Sequence, residues 1–172
     1  LQAITDKAIS GLTTAQIASL TTAQVDKLKD TQIKGLTTAQ VSALTTTQVE
    51  KLTTAQVAAL SATQVKALGT DDVVKLDSSQ LRALSATAVA ALSTDQVAAL
   101  TTAQVDKLTV AQVQSLGTAQ LAALSTAQAA KLTTAQVAAL SATQVKGMET
   151  ADLAALDSAQ LQAIGASAVA DR

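Results

Sequence analysis

An aliphatic residue recurs at every eighth position, from Ile4 through Leu12, Leu20 and Leu28 to Leu140, Met148, Leu156 and Ile164. With that residue at position a of an octad lettered a to h, position f is aliphatic too, from Ile9, Ile17 and Val25 to Val169, and shrinks to alanine only at Ala129. The consensus unit reads Leu-Thr-Thr-Ala-Gln-Val-x-Ala. Tandem repetition of this kind decides the architecture before any other property is weighed.

Geometry discards two of three backbone readings of the octad. A continuous α-helix turns ~100° per residue, so eight residues overshoot two turns by about 80° and the leucine stripe would spiral around the helix. In a continuous strand a and f have opposite parity, so leucine and valine would face opposite sides of a sheet. Ala, Gln, Lys and Leu at the other positions favour helix as well. The third reading is one short helix per octad. Position b is Thr, Ser, Asp or Gly in 19 of 21 units, the exceptions being Lys29 and Glu149, and these residue types suit an N-cap. Position e, three residues later, is Gln or Asp in 18 of 21 units, as in Thr13 with Gln16, Thr21 with Gln24 and Thr53 with Gln56. That spacing predicts a capping box, with a and f as the hydrophobic staple at N′ and N4.

Charge placement tests this frame independently. Nine of the 13 acids lie at b to e and nine of the 12 bases at g or h, the polarity that a helix dipole restarting in every octad would impose. A longer period overlies the octad: residues 12–91 and 92–171 align without gaps, with about 50 of 80 positions identical. The glutamine is lost at Ala8, Ala88 and Ala168, again 80 residues apart. No linker composition intervenes, so residues 1–172 read as one continuous array.

One octad cannot fold alone. Burying a Leu and a Val contributes about 3–6 kcal/mol, whereas ordering eight backbone residues costs roughly 8–16 kcal/mol. Stability must come from neighbours, which describes a solenoid. The expected fold is therefore an all-α solenoid of short helices of about one and a half turns. Two octads, 16 residues, are expected per superhelical turn, because one Leu and one Val per unit fill a gap between two facing layers more readily than a wider ring. Three octads per turn is the alternative. The two-octad form would make a rod roughly 80–105 Å long at ~8–10 Å per turn.

Composition narrows function by exclusion. There is no His, Cys, Phe, Trp, Tyr or Pro. Imidazole acid–base chemistry, thiolate nucleophiles, the usual zinc ligands and stacking platforms for bases are all missing. Twelve basic against 13 acidic residues give no field for a nucleic acid or an anionic membrane, and no apolar run is long enough to insert into a bilayer. No catalytic, cofactor-binding or metal-binding residue is assigned, and no cofactor is expected. Asp71, Asp72 and Asp77, echoed by Asp152 and Asp157, could gather oxygens for calcium, but their positions in the octad read as helix caps. Gly69, Gly117 and Gly165 read as N-caps, since no phosphate-loop sequence follows them.

The tandem Leu-Thr-Thr-Ala-Gln-Val-Ala-Ala units resemble repeat tracts of very large bacterial surface or secreted proteins of adhesin-like type. The resemblance implies an extracellular, non-catalytic extension region, a piece of something longer, and carries over no functional residue. A haem role finds no His, Cys or Tyr ligand, and Met148 occupies a leucine core position. The expected function is a stalk, spacer or fibre-forming module that associates end to end or continues as the same array, since Leu1 at f and Arg172 at a leave both ends without a polar cap. The alternative is a binder of ice or crystalline polysaccharide through the threonines at c, among them Thr14, Thr22, Thr38, Thr46, Thr54, Thr70, Thr94 and Thr102.

Overall fold

The computed structural model describes residues 6–170, with side chains described for residues 8–164; Leu1, Ile4 and Arg172 lie outside them. Among the described residues there are twenty α-helices and no strand. Nineteen of the helices are four to six residues long, one to an octad.

Each helix starts where the sequence places its cap. Thr53, with φ −71° and ψ 159°, is extended, and its hydroxyl accepts from Gln56 N–H while Thr53 N–H donates to Gln56 Oε1 at 2.8 Å. Lys29, Gly69 and Gly117 keep only the returning half of the box: their N–H groups donate to Gln32, Asp72 and Gln120 at 2.7–2.9 Å. Each helix ends within six residues because a and b are extended in succession. Leu60, for example, has φ −64° and ψ 132°, and its N–H closes the last turn on the Val57 carbonyl. The final helix, Ser158–Ala170, is the exception and runs through Gly165. Gly165 and Ala168 supply neither half of a capping box, so nothing turns the chain out of helix there, and the expected N-cap at Gly165 is not formed.

Leucine at a and valine at f are buried together, as the staple requires. Val25, Val41, Val57, Val97 and Val137 are wholly buried, and the leucines from Leu28 to Leu140 nearly so, in one aliphatic core that extends from Ile9 to Met148. The stacking differs from the expected two octads per turn. Helices pack on the third helix before them: Thr38–Ser42 on Thr14–Ala18, and Ala62–Lys66 on Thr38–Ser42. Glutamine side chains reach carbonyls 28 to 31 residues earlier, so a coil holds more than three octads and fewer than four.

Two features explain the wider coil. A two-octad turn would have to reverse the chain at every corner, yet the corners are extended at the N-caps and no described residue adopts a positive φ. Two extended residues instead turn it by about 90–105°. The wider ring is also filled, because the glutamines at e, expected only as caps, enter the interior with 0–8% exposure from Gln32 onward. The array is correspondingly shorter than the expected rod. Residues 6–170 make between five and six coils, a height of roughly 40–60 Å at ~8–10 Å per coil. Its surface of 8115 Å² is close to the about 7,800 Å² of an ordinary folded chain of 17.2 kDa.

Candidate functional site

The recurrent polar feature of the interior is the amide at e. Gln104 is typical: Thr101 N–H donates to its Oε1 at 2.8 Å, while its Nε2 donates to the carbonyls of Val73 at 3.0 Å, Val74 at 3.2 Å and Leu76 at 2.8 Å in the coil below. One side chain thus caps its own helix, satisfies the carbonyls of Val74 and Leu76 and adds a second donor to that of Val73, which already accepts from Leu76 N–H. The same junction recurs from Gln40, on Ile9 and Leu12, to Gln160, on Ala130 and Leu132. Gln16 and Gln24 form the capping box but remain exposed.

The sequence read this glutamine as a cap and missed the bond between coils. A signal was present: a capping box accepts Glu as readily as Gln, yet no octad carries Glu at e. Of the two, only the amide can accept on one side and donate on the other at neutral pH, since an ionised carboxylate has no donor.

The aspartates are not brought into a cluster. Asp72 is buried and accepts from Gly69 N–H at 2.9 Å, Asp77 caps its helix by accepting from Ser79 and Gln80 N–H, and Asp71 is exposed. Asp157 likewise caps Gln160 N–H at 2.8 Å. Asp152 stands apart: it is 2% exposed and its Oδ2 has no hydrogen-bond partner. Among the described residues no three acidic side chains converge as a metal group. Met148 lies in the core, 6% exposed, in the place of a leucine.

The outer surface carries paired charge and shallow grooves. Lys27 bridges Asp26 at 2.9 Å, Lys51 bridges Glu50 at 2.9 Å and Lys107 bridges Asp106 at 2.6 Å. The hydrogen bond from Lys51, and then its charge, hold the Glu50 carboxyl below its ordinary range. One groove is lined by Thr22, Ala23, Asp26 and Lys51, and a second, 80 residues on, by Thr102, Ala103, Asp106 and Lys131, so the longer sequence period is repeated on the surface. An open groove of about 480 Å³ runs past Gly117, Thr118, Ser141 and Thr143. Among the described residues no helix is long and apolar enough to cross a membrane.

These features define a repeat protein of the α-solenoid class, built from single short helices and stapled between coils by buried amides. The chain belongs to the ALTTAQ repeat family, whose model matches at residues 27–54, 50–78, 73–110, 103–134 and 113–148. No curated protein matches it.

Proposed function

We propose that the array is a non-catalytic spacer within a large extracellular bacterial protein, setting the distance between the segments it joins or building a fibre by continuing the same stack. The observation that supports this most is the recurrence of one amide junction over one aliphatic core from Gln40 to Gln160, broken only at Asp72, Ala88 and Asp152, which makes most octads alike and gives length without concentrating chemistry. The binder of ice or crystalline polysaccharide has weaker support. Threonines at c such as Thr14, Thr38, Thr54 and Thr70 are exposed, but a coil of 28–31 residues is not a whole number of octads. Threonines of successive coils are therefore offset and wind around the stack instead of forming a flat lattice.

The spacer reading is tested by duplicating residues 12–91 in register. The chain has no cysteine, so Ser19→Cys and Lys146→Cys, both at exposed sites, accept a pair of spin labels. Ten added octads should lengthen the separation along the axis by roughly 20–30 Å at ~8–10 Å per coil. Reach in the parent protein should follow the number of octads while tolerating changes at c. If the array adsorbs strongly to ice or polysaccharide crystals, and lysine at Thr38, Thr46, Thr54 and Thr70 abolishes adsorption without unfolding it, the spacer reading fails.

A further inference from the structure

We propose that Asp152 and the coil beneath it form a calcium site, independent of the spacer role. At the neighbouring junctions the amide nitrogen sits in a cup of backbone oxygens: Gln144 Nε2 lies 3.4, 3.0 and 2.8 Å from the carbonyls of Val113, Gln114 and Leu116. Gln160 makes the same approach to Ala130 and Leu132. The octad between them places Asp152 over the equivalent carbonyls of Leu121, Ala122 and Leu124. At this register position a carboxylate stands where the neighbouring junctions have an amide, so the donor that those junctions offer to the coil below is missing.

Asp152 is 2% exposed, its Oδ2 is without a partner, and its helix Thr150–Ala154 has no side-chain cap. In this it differs from Asp72, whose Oδ2 is occupied by the Gly69 N–H. A buried, unpaired carboxylate is costly, and an ion is one of the few things that accounts for it. The residue at the N-cap is Glu149, whose side chain makes no cap bond. Glu149 is exposed and lies three residues before Asp152, and its long side chain is the one we assign as the second carboxylate of the site. Two carboxylates, three carbonyls and water make up the six to eight hard oxygens that calcium takes, and the absence of nitrogen and sulfur donors disfavours transition metals.

The test uses the 172-residue chain with calcium chloride as the probe, read by far-ultraviolet circular dichroism melts and titration calorimetry against an EDTA reference. One calcium should bind, and at a hundred times Kd Tm should rise by roughly 5–10 °C. Asp152→Gln should abolish both effects while melting above the parent chain in EDTA, because the amide restores the missing junction. Glu149→Thr, which restores a consensus cap, should fold and bind calcium about tenfold or more weakly. A parent chain that shows no calcium-dependent shift, or an Asp152→Gln variant that shows the same shift, overturns the proposal.

Discussion

Replacing Gln104 by Glu isolates the bond between coils from the cap. The substituted carboxylate can still accept from Thr101 N–H, so the capping box survives. What disappears is the Nε2 donor to Val73, Val74 and Leu76, and a charge is left beside their carbonyls in a site that is 5% exposed. Two or three hydrogen bonds at about 0.5–1.5 kcal/mol each give roughly 1–4 kcal/mol, and an unpaired buried charge raises the total to about 3–5 kcal/mol. At ~2–4 °C per kcal/mol for a chain of this size, Tm should fall by roughly 6–20 °C at pH 7.

Burial beside the carbonyls of Val73, Val74 and Leu76 outweighs the one hydrogen bond from Thr101 N–H and raises the folded-state pKa of the new carboxyl above the ~4.3 of the unfolded chain. Its ionisation penalty is therefore absent below about pH 4.3 and grows as pH rises toward the folded value. Urea titrations followed by circular dichroism at two pH values measure this. Gln16→Glu is the control, having the same chemistry and the same box at 2.8 Å but an exposed side chain; it should cost no more than ~0.5 kcal/mol. Equal losses for the two variants would refute the claim that the amide holds coil to coil.

Three further outcomes are expected. Ala88→Gln should restore the junction missing above Val57 and Leu60, stabilise the chain by about 1–2 kcal/mol, and slow hydrogen exchange in residues 85–91, which in the parent should exchange faster than residues 101–107. Gly147→Ala follows the consensus at h but should destabilise by roughly 1–3 kcal/mol, because the added methyl would sit 2.7 Å from Thr118 Cβ and 3.1 Å from its Cα; a thermal melt above the parent's would contradict this. Ala129→Val places the usual side chain at a wholly buried f position and should raise stability by about 1–2 kcal/mol, whereas a lower Tm would mean that the coil has closed around the alanine.

The features legible in the sequence are those decided within eight residues. Thr53 with Gln56 and Leu52 with Val57 specify where a helix starts, which face it buries and that it must stop, because caps and staples act over three to five positions. The end of the pattern is where this local reading fails, since Gly165 reads as a helix cap and the last helix runs on through it. How far each corner rotates the chain is not a local property. It depends on whether the ring that results can be filled, and the volume was supplied by Gln56 and its equivalents, which look like surface caps until a coil lies beneath them. The same contact decides why the residue is Gln and not Glu. A donor is needed only when carbonyls from 28–31 residues earlier arrive on its far side, and stacking alone brings them there.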